Sequence, residues 1–231
     1  MSQQSFSGFP TSLFTFFDEL VDNNNRDWFA ENKSRYLSDV VAPSLDFICA
    51  MEKPLKKISP HFTAVAKRSG GSMMRIYRDT RFSKNKTPYK TNLGIHFRHE
   101  SAKDVHAPGF YFHIDPSQVM LGAGIWKADS QSLKQIRAVI DEYQARWKRI
   151  KSKKAMRETY EFAGDTLVRP PRGYDKEHPL LEDLKRKDFF IKATLKRKDL
   201  RSPEIVNIVV DHFKTAMPLV RFLCDALRLP S

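Results

Sequence analysis

Hydrophobic and polar positions fall into three successive regimes along the chain. After Pro10-Thr11, the residues Leu13, Phe14, Phe16, Phe17, Leu20 and Val21 recur at helical spacing and predict a first helix. Asn23-Asn24-Asn25 ends it, and Asn25 or Asp27 is placed to cap a second helix carrying Trp28, Phe29, Tyr36 and Leu37. Pro43 suits the first turn of a third helix, running through Leu45, Ile48, Cys49 and Met51. The period then shortens to alternation. Phe62 to Lys67, Met73 to Arg78, Leu93 to His99, Phe110 to Asp115 and Val119 to Ile125 are short stretches separated by Gly, Pro, Asn and Asp, the pattern of antiparallel strands. From Asp129 the helical period returns through Leu133, Ile136, Val139, Ile140, Tyr143 and Trp147. A loop at Arg169 to Tyr174, a short helix near Pro179 to Lys187, a strand near Phe189 to Leu195 and one or two helices from Pro203 to Leu227 follow.

Helices, then a meander, then helices is an α+β order. It predicts a largely antiparallel sheet of about five or six strands, with helices from both chain ends packed on its apolar face. The chain shows no repeat, low-complexity tract or flexible linker, so residues 1–231 read as one domain.

Composition narrows the class. Hydrophobic residues make up 41% of the chain and include 17 Phe, which excludes a disordered protein. No apolar run approaches the roughly 20 residues needed to span a bilayer, and Met1 to Pro10 lacks the basic and apolar halves of a signal peptide. The two cysteines, Cys49 and Cys224, each lie within an apolar helical pattern and read as core residues rather than a disulfide or metal pair. These features predict a cytoplasmic protein with no membrane partner.

The net charge of +13 is unevenly spread. Residues 1–52 carry 3 basic and 8 acidic side chains, whereas residues 53–103 carry 13 basic and 2 acidic ones. A second basic run, Arg146 to Arg157, falls on the exposed end of a helix and reads as a solvated face. The first excess is focused on Arg75-Ile76-Tyr77-Arg78-Asp79-Thr80-Arg81-Phe82-Ser83-Lys84-Asn85-Lys86-Thr87-Pro88-Tyr89-Lys90. Arg offers a planar fork of donors for phosphate or carboxylate and Lys a compact charge. Phe82, Pro88 and Tyr89 would hold such a loop in place, and Asp79 would orient Arg78 and Arg81. The plainer alternative is an Asp–Arg network that fixes a turn and nothing more.

This segment carries a resemblance. Arg75-x-x-Arg78-Asp79-x-Arg81-Phe82-x-x-Asn85-Lys86-x-x-Tyr89 resembles the signature of the family catalogued as domain of unknown function 2461. The likeness extends through Phe16 to Phe29, Phe110-Tyr111-Phe112, Gly122-x-Gly124-x-Trp126, and Arg169-Pro170-Pro171-Arg172-Gly173-Tyr174 with His178-Pro179. Lys127-Ala128 departs from it, since relatives often carry Pro there. The resemblance implies bacterial proteins of about this length and brings no activity with it.

Alternation adds a face to the motif. If the strands are neighbours, Leu93, Ile95, Phe97, Phe110, Phe112 and Ile114 point to the core, and Arg75, Tyr77, Asp79, His96, Arg98, Tyr111 and His113 collect on the other side. Metal is not expected: His113-x-Asp115 is a lone pair among arginines, and His96 and His99 face opposite ways. Gly122-x-Gly124 lacks the third glycine of a dinucleotide fingerprint, and no cofactor is implied. Arg172, Tyr174 and His178 can form a wall of the site or a rigid surface connection.

Two functional classes follow. One is a binding protein or enzyme for a small phosphate- or carboxylate-bearing ligand. Arg75, Arg78, Asp79, Arg81, Lys86, Tyr89, Lys90 and His96 are its binding candidates, and Tyr89, Tyr111 and His113 its proton-transfer candidates. The other is a nucleic-acid-binding module using the same basic surface, with Phe82 and Tyr89 as stacking groups. The oligomeric state and the substrate are not encoded in any recognisable pattern.

Overall fold

The computed structural model describes residues 6–101 and 107–231. Residues 1–5, read above for a leader, and Lys103 of the basic stretch lie outside the described residues. The opening helices are α1 (Thr11–Asp22), α2 (Arg26–Glu31) and α3 (Lys33–Arg35). Leu13, Phe14, Phe16, Phe17 and Leu20 of α1 are all buried. Asn25, the residue before α2, accepts from the Trp28 amide at 2.9 Å through its side chain, which satisfies an otherwise free N–H at the helix start. A π-helical turn, Tyr36–Val41, leads without a break into α4 (Ala42–Ile58), so the helix expected to begin at Pro43 is continuous with the one before it.

Six strands form one antiparallel sheet: β1 (Phe62–Thr63), β2 (Leu93–His99), β3 (Gly109–Ile114), β4 (Val119–Ile125), β5 (Glu161–Ala163) and β6 (Phe189–Leu195), ordered β1-β2-β3-β4-β6-β5. Between β4 and β6 the chain forms α5 (Ser130–Glu142), α6 (Gln144–Ser152), α7 (Lys154–Thr159) and α8 (Leu181–Leu184); α9 (Ile205–Ala226) closes it. The two-residue alternation sends Leu93, Ile95, Phe97, Phe110, Phe112, Ile114, Val119, Leu121 and Ile125 to one face, all buried. Helices from both halves of the chain cover that face. Phe47 of α4 meets Phe112 at 5.2 Å between ring centroids, Phe213 of α9 stacks on Phe110 at 4.5 Å, and Trp147 of α6 meets Phe189 at 6.0 Å. Each such side chain contributes on the order of 1.5–3 kcal/mol by leaving water. Among the described residues no helix is long and apolar enough to cross a membrane.

One expected strand is absent. Met73 to Arg78 makes two isolated bridges, Met73 to Ile95 and Tyr77 to Tyr89. The outgoing limb spans four steps between these bridges and the returning limb six, so two extra residues bulge from the return. The segment therefore leaves β2 and pairs with its own continuation: the Arg78 amide donates to the Pro88 carbonyl at 2.9 Å, and the Lys90 amide to that of Ile76 at 2.7 Å. The strand expected over Phe62 to Lys67 is likewise only two residues long, and β5 was not foreseen.

Candidate functional site

The sheet face opposite the core bears His96, Tyr111, Met120 and Phe190, one from each of β2, β3, β4 and β6. These side chains, with Met74, Gly109, Gly124 and Trp126, line a cleft of about 350 Å³. Glycines make room for the rings. A Cβ on Gly122 would stand 2.1 Å from Phe190 Cζ, one on Gly109 2.5 Å from His96 Nε2, and one on Gly94 2.7 Å from the Tyr111 hydroxyl. Three aromatic side chains thus lie down over glycines of neighbouring strands, and any other residue there would lift them. Trp126, partly exposed, meets Phe190 edge-on at 5.4 Å and forms the rim.

A polar row runs along β3 on this face. The His113 imidazole lies 2.8 Å from Asp115 Oδ2 through Nε2 and 3.1 Å from the Tyr111 hydroxyl through Nδ1. Burial alone would raise the Asp115 pKa, but hydrogen bonds from Ser117, His113 and Gln118 outweigh it and hold it at about 2. An ionised carboxylate can only accept, so His113 Nε2 is the donor to Asp115, and wherever Nδ1 carries no proton it accepts from the Tyr111 hydroxyl. Burial pushes the Tyr111 phenol up to about 12, and pushes His96 down to about 4 with help from the Arg98 charge. Near neutral pH both groups are uncharged. His96 makes no side-chain hydrogen bond among the described residues, and its ring borders the cleft.

The basic motif lies elsewhere and is divided. Asp79 pairs with Arg81, at 3.0 Å to Nε and 2.7 Å to Nη2, and this pairing holds the Asp79 pKa at about 2. Arg78 does not join them: its guanidinium donates to the Thr87 hydroxyl. Lys86 donates to the Thr80 carbonyl at 2.9 Å. Arg75 and Tyr77 line a 110 Å³ pocket with Lys33, Tyr36, Arg68 and Met73, against α2 and α3. They do not share a face with His96, Tyr111 and His113, which corrects the single polar face expected for them. The reason is register: Met73 bridges the core residue Ile95, which puts Met74, and not Arg75, on the face of His96 and Tyr111.

Tyr89 is an anchor. It is 6% exposed, its ring stacks on Phe29 at 4.1 Å, and the Asn24 side chain grips its backbone, accepting from its amide at 3.1 Å and donating to its carbonyl at 3.0 Å. Beside it, Arg78, Asn85, Thr87, Lys90 and Asn92 line a notch of about 320 Å³. Lys90 is half-buried, and burial with the nearby Arg75 charge lowers its pKa. No carboxylate pairs with it among the described residues. Asn92, one of the two bulged residues, also reaches His113 Nδ1 at 3.4 Å, so the notch and the polar row of β3 adjoin.

Other candidates fall outside both places. His178 bonds Asp141 of α5 at 2.9 Å and Tyr174 borders Arg137, so that loop is a surface connection. His99 turns inward and bonds the Pro230 carbonyl at 2.7 Å, away from His96 as alternation predicts. Among the described residues no three His, Cys, Asp or Glu side chains are grouped to hold a metal ion. Met74, Met120, Trp126 and Phe190 were missed as cleft residues. The available signal was the glycine at alternate positions of Gly94, Gly122 and Gly124, on the face that pattern leaves polar.

Fold and site together define an α+β protein whose antiparallel sheet carries helices on one face and a glycine-floored aromatic cleft on the other. The chain belongs to the family described as Conserved hypothetical protein (DUF2461), whose model matches residues 12–222. No curated protein and no solved structure matches it.

Proposed function

We propose that this protein binds a small molecule with an apolar, planar body and a phosphate or carboxylate group. The body occupies the cleft between Phe190, Trp126 and Met120, and the anionic group reaches the notch of Lys90 and Arg78. One observation carries this reading: rings laid flat over glycines open a 350 Å³ apolar cleft, and the row from its Tyr111 through His113 to Asn92 leads to a half-buried ammonium with no carboxylate partner among the described residues. A fixed apolar cleft with a few convergent polar groups is the usual form of a small-molecule site. Arg81 and Lys86 are spent on loop contacts and contribute field rather than contact.

The test uses 1-anilinonaphthalene-8-sulfonate, an aromatic anion of the right shape, with Trp126 at the rim as energy donor. Saturable binding displaced by phenyl phosphate, lost in Gly122→Val and weakened about tenfold in Lys90→Ala, is the expected result. Binding unchanged by Gly122→Val would overturn the assignment.

One observation favours the nucleic-acid reading. Phe82 is 96% exposed at the loop tip, with the Arg81 guanidinium 5.8 Å from its ring centroid, a pair suited to stacking on a base. Yet Arg81 is already neutralised by Asp79. Titration with labelled single- and double-stranded oligonucleotides is expected to show weak binding that disappears at physiological salt. Sub-micromolar binding at that salt, lost in Phe82→Ala or Arg81→Ala, would replace the small-ligand reading.

A further inference from the structure

The outgoing limb of the basic segment and the opening helices enclose a second pocket, with no lining residue in common with the cleft. Met73 bridges the core residue Ile95, so alternation puts Arg75 and Tyr77 on the helix side of the limb. Opposite them, Lys33, Tyr36 and Leu37 follow at the spacing of one helical face. Tyr36 opens the π-helical stretch Tyr36–Val41, a wider winding that recurs at functional sites. Arg68 comes from a third element, the tight loop after β1. There the Ser72 amide donates to the Val65 carbonyl at 2.8 Å, the Val65 amide to the Ser72 hydroxyl at 2.9 Å, and Arg98 of β2 to the Gly71 carbonyl at 2.9 Å. A Cβ on Gly71 would stand 2.4 Å from the Val65 carbonyl oxygen, so only glycine lets the loop close this tightly. Arg68 thus reaches the pocket wall on a braced loop.

We infer that this pocket binds a phosphate group, free or carried by a small phosphomonoester, and that it does so independently of the cleft. Its charged and phenolic groups are all donors. Lys33, Arg68 and Arg75 bring three positive charges, and among the described residues no carboxylate lines the pocket. Asp79, whose pKa the Arg75 charge helps to lower, is already held by Arg81 at 2.7 Å. Tyr36 adds a neutral donor. Burial pushes its phenol up to about 12 against the pull of the Arg68 charge, so it keeps its proton near neutral pH. It makes no side-chain hydrogen bond among the described residues. The three cations are exposed and Tyr36 is half-buried, so charge gathers at the mouth and the phenol lies behind it. Phe29, Val41 and Ile76 are buried beneath and form an apolar floor, against which the charges are screened less than in open water. The ionised phosphoryl group of a monoester offers only acceptors, on three oxygens, to donors arriving from three elements. A carboxylate has two oxygens in one plane and would leave some of those donors unused. At about 110 Å³ the pocket admits a headgroup only, since sites for whole ligands run to roughly 300–1,000 Å³. The rest of an ester would leave past Tyr77, which is 54% exposed.

Titration calorimetry of the full chain, near neutral pH and at physiological salt, tests the site with inorganic phosphate and methyl phosphate as probes. Methyl phosphate lacks the apolar body that the cleft would take, so the outcome is separate from that of the naphthalene sulfonate. One saturable site with a Kd of about 1 mM or tighter is expected for at least one probe. Tighter binding of methyl phosphate assigns the ester, and tighter binding of inorganic phosphate the free ion. Arg68→Gln and Arg75→Gln, both at exposed positions, should each weaken binding about tenfold, and Tyr36→Phe about threefold. Arg149→Gln removes the same charge from an exposed position on α6 and should leave binding unchanged. Equal weakening in Arg149→Gln would mean attraction to net charge alone and overturns the site. Wild-type affinity in Tyr36→Phe overturns the pocket in favour of loose surface cations. A larger loss in Lys90→Ala than in Arg68→Gln puts the ion in the notch and also overturns it, as does the absence of a saturable isotherm with both probes.

Discussion

The basic loop and the sheet cleft show opposite ways of arranging polar side chains. In the loop from Arg75 to Lys90, charge is dense but mostly satisfied from within: Asp79 holds Arg81, Thr87 takes Arg78, and the Thr80 carbonyl takes Lys86. In the cleft there is little charge, yet each polar group is aimed by the ladder and has a distinct state: ionised Asp115, uncharged His96, protonated Tyr111. Charge density along a chain therefore reports a loop's solubility and self-pairing as readily as a site. Side chains ordered by paired strands, over glycines that admit them, are the more specific signal.

The comparison breaks first at the loop's anchor. Tyr89 is buried against Phe29 and tied to Asn24, so Tyr89→Ala is expected to cost about 3 kcal/mol or more in urea denaturation, far beyond any charge change in the same loop. A cost under about 1 kcal/mol would mean that the loop is not held by its aromatic residue.

The cleft should show itself in acid. The His96 pKa is lowered from 6.5 to about 4 in the folded protein, so protonation favours the unfolded chain. The stability contributed by its uncharged state is complete above about pH 6.5 and is lost as pH falls towards 4, on the order of 3 kcal/mol. His96→Gln should lose correspondingly less between pH 7 and pH 4 when denaturation midpoints are compared. Equal acid sensitivity in the two proteins would place the ring in water.

Asp115 sharpens the contrast with Asp79, since both pKa values lie at about 2. Asp115 is 18% exposed, and its lowered pKa makes its stabilisation complete above about pH 4 and lost as pH falls towards 2. Asp115→Asn is expected to cost roughly 2 kcal/mol at pH 7, a difference that vanishes near pH 2. Asp79, 45% exposed with an Arg81 partner 76% exposed, is an ordinary surface pair. Asp79→Ala should shift the denaturation midpoint least of all at pH 7. A larger loss would restore the motif's acidic residue to a structural role.

Much of the fold was legible because the sheet alternates cleanly. Leu93–His99, Val119–Ile125 and Phe189–Leu195 have the same limits in pattern and in structure, and the β3 limits differ by one residue. Legibility stopped where pairing is local or brief. Met73 to Arg78 alternates as a strand should, but Pro88 to Lys90 returns to pair with it, and the bridge of Met73 to the core residue Ile95 reverses the expected faces. Met74 illustrates the cost: read as core, it borders the cleft, with its sulfur 3.1 Å from where a Cβ on Gly94 would be.

The sequence by itself determined the α+β order, the buried and unburied faces of β2 and β3, and the presence of His96, Tyr111 and His113 on the latter. Those follow from periodicity, a property of neighbouring residues. Only the tertiary structure decided that Phe190 and Trp126 stand beside them, that glycines on adjacent strands admit their rings, and that Arg75 is turned away. Those depend on the register between strands far apart in the chain, where one extra residue moves a side chain to the other face.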